Sequence, residues 1–443
     1  MGQKASSEED GPPIDMLTDD ALFIIFSMLT FNERVKAGSV CRRWNRMAKD
    51  GRFWLCIDIA GPLLRVMLPT ESHTPRHINI QELSRVEEET LWYLNVYACE
   101  ATREIRLYLA SDRILRLLRN RCPNLDTLGI KHYENIKLRI ISKQLKKLHL
   151  ERGIVKRWDN GIMWTYFHKK SHALQRAIES FDFASIPLPN LQDLSLGWAF
   201  LDGKVFRGLC MTTCGIKRLT LSGCRFESSL ALRDTFGIVA TAFPNLEILH
   251  VDRSSCSTQF EMDRFFELLS ERTNLKCLQL RTQNGTLSFS PQSFEILSLG
   301  LGNSLFSFGL TGTDEVDDVV TCLIARNFHK LKDLDLSGCT SISDEGILSL
   351  TGHSSLEVID ISGCCRVTYN AIARTIETIP RIRKLTLTSF RSRTDFDWTK
   401  FNKTRLQLDH LEICIKREWS VKSFSCPYCA SDGLRLDYST PLL

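Results

Sequence analysis

The segment LKDLDLSGCTSISDEGILSL (residues 331–350) and the segment LEVIDISGCCRVTYNAIARTI (residues 356–376) match each other almost position for position. Both start with the pattern L-x-x-L-x-L, in which isoleucine replaces some leucines, and both carry a cysteine three residues after the pattern ends. Self-similarity at a fixed period is the sequence signature of a repeat architecture. The period of this pattern therefore decides the fold class.

The same pattern recurs along most of the chain. Its units start at Leu125, Leu145, Leu191, Ile216, Leu246, Leu275, Leu305, Leu331, Leu356, Ile382 and Leu408. The last four steps are 26, 25, 26 and 26 residues, which lie within the range of leucine-rich repeats. Residues 101–109 can be read as a degenerate first unit in which Ile105 and Leu107 face inward.

The spacing within each unit predicts how the unit packs. Alternate residues of a strand face opposite ways, so the second and third leucines of the pattern point into a core. Between strands, Ile372, Ile376 and Ile379 have the three-to-four spacing of a helix that covers this core. Because no unit buries its faces alone, the units must stack. We therefore predict an α/β fold, a curved solenoid with parallel strands on the concave face and helices on the convex face.

Three cysteines recur at one position of the repeat, namely Cys224, Cys339 and Cys364. A residue that occurs once per repeat is spread along the stack rather than gathered at one point, so these thiols do not form a metal site. We expect them to be small buried residues where the chain turns after each strand. These repeats resemble the cysteine-containing subtype of leucine-rich repeat.

A second feature is the apolar run ALFIIFSMLTF at residues 21–31. It is too short to cross a bilayer, which requires about 20 apolar residues. Thr18 can cap a helix there, with Asp19 and Asp20 in the first turn, where negative charge suits the helix dipole. One apolar face consists of Leu22, Ile25, Phe26 and Leu29, and Phe23, Ile24 and Met28 lie outside that face. A motif of about 45 residues cannot bury so much apolar surface alone, so we expect another protein to cover it.

The residues after this run predict a second helix, capped by Asn32. Its apolar side would carry Val35, Val40, Cys41, Trp44 and Met47, and its polar side Arg42, Arg43 and Arg46. Asp50 and Gly51 mark a turn before Phe53 and Trp54.

Taken together, residues 16–54 resemble an F-box. In that family a three-helix motif docks onto a Skp-type adaptor, which links it to the cullin and RING subunits of a ubiquitin ligase. The residues that match, and that the resemblance implies as adaptor-binding, are Leu17, Leu22, Ile25, Phe26, Leu29, Val40, Cys41, Trp44 and Trp54. Thr18 stands where the family usually has proline, which presets φ at a helix start and makes no contact, so its loss should weaken docking only modestly. The alternative is a helical cap of the solenoid.

The order of an F-box followed by leucine-rich repeats is the layout of one class of substrate receptor. It implies a non-catalytic subunit that presents a protein substrate for ubiquitin transfer by other subunits. A leucine-rich scaffold without any ubiquitin role remains the alternative. The predicted boundaries are a disordered tail at 1–13, the F-box at 14–58, a linker or cap at 59–100, the solenoid at 101–425 and a C-terminal tail at 426–443.

Polar residues that alternate with the inward leucines should face a partner. The middle column consists of Gly129, His149, Ser195, Thr220, His250, Gln279, Gly309, Asp335, Asp360, Thr386 and Glu412, and a neighbouring column adds Lys147, Asp193, Arg218 and Asp333. Like charges on adjacent strands repel, so Asp333, Asp335 and Asp360 are hard to explain by stability alone. We hypothesise that they receive a basic segment of the substrate, with Lys147 and His250 farther along the same face. The alternative is a solvated surface.

Composition limits the remaining functions. The net charge is +5, with 57 basic and 52 acidic residues, which gives no reason to expect nucleic acid as a partner. The N-terminus lacks the basic-then-apolar layout of a signal peptide, so we expect a cytoplasmic or nuclear protein whose 16 cysteines are mostly thiols. No catalytic motif and no familiar metal-ligand spacing occurs, and no cofactor is expected.

Three weaker signals remain. MGQKAS fits a myristoylation motif, so Gly2 is a candidate for lipidation and for weak membrane association. CPYC at 426–429 has the spacing of a redox pair or of half a zinc site, but we favour free thiols, and an enzyme that uses Cys426 or Cys429 ranks last. The basic and aromatic segment 156–172 is read either as a loop that contacts a partner or as a divergent repeat that buries Trp164 and Phe167.

Overall fold

The computed structural model describes residues 17–59, 74–81, 87–133, 140, 143–159, 162–167, 188–197, 200–201, 213, 215–226, 237–254, 260–282, 287–388 and 412–416. The chain divides into two compact units, Met1–Leu150 and Glu151–Leu443. Among the described helices, none combines the length and the apolar character that a membrane crossing requires.

The first unit begins with three short helices and continues as alternating strands and helices. Its helices are α1 (Asp19–Met28), α2 (Phe31–Ala37), α3 (Arg42–Ala48), a 3-10 helix (Gly51–Trp54), α4 (Glu87–Tyr97) and α5 (Asp112–Arg121). Its strands are β1 (Cys56–Asp58), β2 (His77–Ile80), β3 (Glu104–Ala110) and β4 (Thr127–Tyr133), which pair in parallel in chain order. Ile105 and Leu107 on β3 are fully buried, so the prediction for residues 101–109 is confirmed.

The parallel sheet starts earlier than the sequence analysis expected. β1 lies within the predicted F-box boundary, and β2 and α4 lie within the predicted linker of residues 59–100. The sequences around β1 and β2 do not contain the L-x-x-L-x-L pattern. Strand β1, for example, has three residues, of which only Ile57 is buried. A strand this short carries too little periodicity to be recognised from sequence.

The second unit continues the same plan. The strands of its parallel ladder are β7 (Asp193–Gly197), β9 (Arg218–Ser222), β11 (Ile248–Ser254), β13 (Cys277–Thr282), β15 (Ser307–Thr311), β16 (Asp333–Asp335), β17 (Val358–Asp360), β18 (Lys384–Thr388) and β19 (Glu412–Lys416). Its helices are α6 (Asp263–Ser270), α7 (Pro291–Leu301), α8 (Asp318–Asn327), α9 (Asp344–Ser349) and α10 (Tyr369–Thr378). The predicted α/β fold, with N-terminal helices followed by parallel strands that alternate with helices, is confirmed.

Short strands outside the ladder complete the described elements. They form two parallel pairs, β8 (Phe200–Leu201) with β10 (Arg225–Phe226) and β12 (Phe260–Glu261) with β14 (Leu287–Ser288). The longer strand β5 (Lys147–Asp159) belongs to the main sheet, and it also forms an antiparallel hairpin with β6 (Ile162–Phe167). Part of the basic and aromatic segment 156–172 therefore lies in a hairpin, and its side chains lie outside the described residues.

Leucines and phenylalanines fill the space between the strands and helices of the second unit. Phe308 on β15 packs against Phe328 after α8, with ring centroids 5.0 Å apart, and against Phe294 on α7, 5.9 Å away. All three rings are fully buried. Because full burial of one such side chain contributes about 1.5–3 kcal/mol, these contacts between repeats are a principal source of stability.

The recurring cysteines are buried and hydrogen-bonded to the preceding repeat. The thiols of Cys224, Cys339 and Cys364 donate to the carbonyl oxygens of Leu196, Leu310 and Leu336, at 3.3, 3.1 and 3.3 Å. The glycine before each cysteine has φ of 62°, 76° and 82°, a conformation that favours glycine and turns the chain. Burial raises the pKa of the Cys339 thiol to about 12, so the thiol stays protonated. The prediction of small buried residues at a turn is confirmed.

Acidic residues at helix starts connect one repeat to the next. Asp318, the first residue of α8, accepts hydrogen bonds from the backbone amides of Ser343 and Gly346 at 2.8 and 3.0 Å, and from the Ser343 hydroxyl. Asp263 and Asp344 have equivalent roles toward Ser290 and Thr368. Each carboxylate therefore supplies acceptors to backbone donors at the start of the following helix.

Two predictions of local structure were wrong. The helix expected after Asn32 is two helices, and Thr30 rather than Asn32 begins the first of them. The sequence TFNE forms a capping box, in which the Thr30 amide donates to the Glu33 carboxylate at 2.8 Å and the Glu33 amide donates to the Thr30 hydroxyl. In addition, Cys414 rather than Glu412 pairs with Thr386, so the last strand is shifted by two residues along the predicted column. A shift of two leaves the same side chains on the same face, so the pattern could not fix it.

Candidate functional site

The F-box segment, residues 17–54, is organised around buried aromatic rings. Phe26 on α1 meets Trp44 on α3 edge to face, with centroids 5.6 Å apart. Phe31 meets Trp54 in the same way at 5.5 Å, and the Trp54 indole donates to the Ala48 carbonyl at 3.1 Å. These contacts hold the three short helices together, because helices of 7 to 10 residues are not stable alone.

Charged residues on the outside of the same segment form contacts that stabilise it. Arg43 on α3 forms an ion pair with Asp19 on α1 at 2.8 Å and also donates to the Leu17 carbonyl. Arg52 lies over the Phe23 ring, 3.7 Å from its centroid, and Phe23 stacks on Phe53 at 4.6 Å. Such cation–π contacts contribute about 0.5–1 kcal/mol at exposed sites.

The structure divides the predicted adaptor-binding residues into two groups. Leu22 and Phe26 are 0% exposed and Trp54 is 2% exposed, so these three belong to the core of the segment and are not available to a partner. The others retain some exposure; they are Leu17, Ile25, Leu29, Val40, Cys41 and Trp44. The face of α1 that the sequence analysis expected to meet an adaptor is mainly the inner face.

The outer face of α1 is also apolar. Ile24, Ile25 and Met28 are 56%, 39% and 79% exposed, and Val40 is 67% exposed. Ile24 and Met28 lie outside the apolar face that the sequence predicts, and they are not among the predicted adaptor-binding residues. The sequence did indicate this surface, because α1 has more apolar residues than one face can hold. The residues in excess form the exposed outer face.

The F-box segment also packs on the first repeats. Tyr97 at the end of α4 contacts both Trp54 and Phe31, with centroids 6.0 and 6.4 Å apart. Tyr93, one turn earlier, stacks on Tyr97. Burial raises the pKa of the Tyr97 hydroxyl to about 12. Within the predicted linker or cap, α4 thus shares a core with the F-box segment.

In the second unit, the predicted column of polar residues is confirmed from Ser195 to Thr386. Register pairing places the following residues side by side: Ser195, Thr220, His250, Gln279, Gly309, Asp335, Asp360 and Thr386. His250 is half-buried, and its Nε2 lies 3.2 Å from the Cys277 sulfur. Lys147 and Gly129 belong to the first unit.

The three aspartates on this face are not a solvated cluster. Asp335 is 4% exposed and forms an ion pair with Arg281 at 2.8 Å. Asp333 is 5% exposed and accepts from the Ser307 hydroxyl, which in turn accepts from the Gln279 amide. Only Asp360 is half-buried, and its carboxylate accepts from the Ser362 amide. The repulsion that suggested a substrate role is therefore offset within the chain.

A glycine makes room for this network. Arg281 on β13 reaches Asp335 on β16, with β15 between them. A Cβ atom added at Gly309 on β15 would lie 1.9 Å from Oε1 of Gln279 and 3.2 Å from Cβ of Asp335. Gly309 is thus the gap in the column that lets the long side chains of β13 lie across the sheet.

Some predicted positions lie outside the described residues, namely Gly2, Cys426 and Cys429. Among the described residues, no group of three or more histidine, cysteine, aspartate or glutamate side chains is placed to hold a metal ion.

Comparison with known proteins agrees with this architecture. The F-box-like family profile matches residues 19–60. The chain is 30% identical over 242 residues to F-box/LRR-repeat protein 4 of Bos taurus, a match that covers 51% of this chain and 36% of that protein. The chain thus spans about a third of the length of that relative. A chain of the solved complex of Rad7 and Elc1 from yeast aligns with a TM-score of 0.50 at 12% identity, covering 89% of this chain and 92% of that one, which concerns the fold alone. The F-box-like domain at the N-terminus and the similarity to F-box/LRR-repeat protein 4 support a protein of the F-box and leucine-rich-repeat family.

Proposed function

We propose that this chain is the substrate-recognition subunit of an SCF-type ubiquitin ligase. The F-box segment docks a Skp-type adaptor, the adaptor links it to cullin and RING subunits, and the repeats bind the protein substrate. The chain's contribution to ubiquitin transfer is proximity, because it holds the substrate near a catalytic centre on other subunits.

The observation that carries this proposal is the exposed apolar surface of α1. Ile24, Ile25 and Met28 project from one helix that is otherwise anchored by Leu22 and Phe26. Full burial of an aliphatic side chain contributes about 1.5–3 kcal/mol, and association costs about 4–15 kcal/mol. Three or four such residues contribute about 4.5–12 kcal/mol, which is of the same order as the cost of association, so the contacts around them add to the stability of a complex with an apolar groove on an adaptor.

The test is capture of a purified Skp-type adaptor by the full chain and by the double variant Ile24→Asp and Met28→Asp. Both side chains are exposed, so the variant should fold, and adaptor binding should fall by at least about 100-fold because two carboxylates would be buried unpaired. The matched control is Ile296→Asp and Leu299→Asp on α7, which are 45% and 65% exposed. Equal adaptor binding by both double variants, or no binding by the wild type, would overturn the proposal and favour a scaffold without a ubiquitin role.

For the substrate we propose the polar face of the second unit, centred on the half-buried residues His250 and Asp360. Asp333 and Asp335 support this face from within, because their carboxylates are engaged by Ser307 and Arg281. Asp360→Lys reverses the charge of the most accessible of the three aspartates, and we expect it to change the set of proteins that co-purify with the full chain. An unchanged set, with the adaptor still bound, would remove Asp360 from the substrate site and leave adaptor docking untouched.

A further inference from the structure

The helix α5 of the first unit carries four exposed arginines. Its inner face is buried through Ile114, Leu115 and Leu118. Its outer residues Arg113, Arg116, Arg119 and Arg121 are all exposed. In the part of the chain that the structure describes, none of these four guanidinium groups has an acidic partner. We call these four residues the arginine face.

The neighbouring charges make this region more basic toward the end of the helix. At the start of α5, Asp112 and the Glu87 carboxylate, which accepts from the Ser111 hydroxyl, provide negative charge. Beyond the other end, Arg103 donates to the Asn124 carbonyl, and the Arg103 amide donates to the Arg76 carbonyl. Arg76 and Arg103 are both exposed. Glu100, whose carbonyl accepts from the Asn124 side chain, is exposed at the same end, so Arg76, Arg103, Arg119 and Arg121 leave an excess of positive charge between the second half of α5 and the adjacent edge of the sheet.

The stability of the helix does not explain this arrangement. Arginines at the last turn suit the helix dipole, which accounts for Arg119 and Arg121. Arg113 and Arg116 lie at or before the middle, and like charges three residues apart destabilise a helix by a few tenths of a kcal/mol. The anchoring of the helix comes from its inner face, which is complete without them.

We propose that the arginine face docks the protein onto an anionic phospholipid membrane. Clusters of four or more basic residues on an amphipathic helix are typical of binding to phosphatidylserine and phosphoinositides. Guanidinium groups form paired hydrogen bonds with phosphate, and the exposed residues Arg113, Arg116 and Arg119 follow one another at intervals of three residues on one side of the helix. The chain also begins with MGQKAS, and one myristoyl chain holds a membrane only marginally unless a basic patch assists it. The arginine face supplies that second contribution.

The experiment uses the full chain made in bacteria, which do not acylate Gly2, so that the arginine face is tested alone. Vesicles of phosphatidylcholine with about 30% phosphatidylserine are compared with vesicles of pure phosphatidylcholine by sedimentation. We expect binding to the anionic vesicles only, and its loss between about 100 and 500 mM salt, as screening shortens the range of surface charges. The variant Arg113→Gln, Arg116→Gln, Arg119→Gln and Arg121→Gln should bind at least about tenfold more weakly, since each basic residue near such a surface contributes about 1 kcal/mol.

The matched control removes the same number of charges from the second unit. It is Arg326→Gln, Arg366→Gln, Arg374→Gln and Arg381→Gln, four exposed residues, and it should bind within about twofold of the wild type. Circular dichroism establishes that both variants are folded. Equal weakening by both variants, equal binding to both kinds of vesicle, or binding to a short DNA duplex without binding to vesicles would each overturn the proposal. None of these outcomes depends on the adaptor.

Discussion

Helix α1 of the F-box segment and helix α8 of the repeats have the same length and similar N-terminal caps, but they differ in how many of their apolar residues are buried. Both contain 10 residues, and both begin with a side chain that caps the helix, Thr18 in α1 and Asp317 in α8. In α8 the large apolar residues Val320 and Ile324 are buried, Leu323 is half-buried and Val319 is exposed. In α1 two apolar residues are buried and three are exposed.

The difference shows what covers the apolar surface of each helix. A repeat helix packs on the next repeat, and Asp318 in α8 caps α9 directly, so the chain itself supplies the surface that covers it. The outer face of α1 has no such surface among the described residues. A side-chain cap therefore begins both a helix that its neighbours mostly cover, α8, and a helix with an open apolar surface, α1.

The largest expected effect separates the two faces of α1. Phe26→Ala should lower the free energy of unfolding of the F-box segment by about 3–5 kcal/mol, because Phe26 is fully buried and its loss leaves a cavity in the core. Met28→Ala, two residues away and 79% exposed, should change it by less than about 0.5 kcal/mol. Amide hydrogen exchange of residues 17–54 measures both. Similar protection in the two variants would contradict the assignment of inner and outer faces.

The next effect concerns the buried ion pair of the repeats. Arg281→Met should destabilise the second unit by about 3–5 kcal/mol, because it leaves the carboxylate of Asp335 buried without its cation. Urea denaturation followed by circular dichroism measures the change. The double variant Arg281→Met with Asp335→Leu should recover part of the loss, since it removes the buried carboxylate of Asp335 together with its cation, whereas Asp252, 4.0 Å from Arg281, still loses that cation. If the single variant is as stable as the wild type, the polar face is more hydrated than its burial indicates.

These two regions also differ in how far their sequence could be interpreted. Repetition predicted the strands, the inward leucines and the buried cysteines, because the same physical requirement recurs at Cys224, Cys339 and Cys364. The F-box segment occurs only once, so its sequence offers no repeated positions to compare. The apolar surplus of α1 was evident, but which residues face inward depends on where α3 and Trp54 pack, which helical spacing alone does not determine. The Arg281–Asp335 pair joins residues 54 positions apart across an intervening strand, so no local pattern contains it.

A smaller effect compares the capping devices. Asp318→Ala removes acceptors from two backbone amides of the next helix, and it should cost about 1–2 kcal/mol in the free energy of unfolding of the second unit. Thr18→Ala removes one weaker cap, in which the Ala21 amide donates at 3.3 Å, and it should cost about 0.5–1 kcal/mol in the F-box segment. Thermal denaturation of each variant measures the difference. A larger effect of Thr18→Ala would mean that the repeats do not depend on their connecting carboxylates.

The smallest expected effect is a pH dependence of the stability of the repeats, caused by a buried histidine. His353, which precedes β17, is 8% exposed, and its ring lies between the Phe328 carbonyl, 3.0 Å from Nε2, and the Ser355 amide, which donates to Nδ1. Burial lowers the pKa of His353 below its usual value, with the charge of His329 as a lesser cause. As the pH falls through about 6.5, the unfolded chain takes up a proton before the folded chain does, so stability decreases until the folded pKa is passed. Urea denaturation at about pH 7.5 and 5.5 should therefore show a loss for the wild type that is smaller in His353→Gln, because glutamine does not titrate. An equal loss in both proteins would place the pH dependence in other groups.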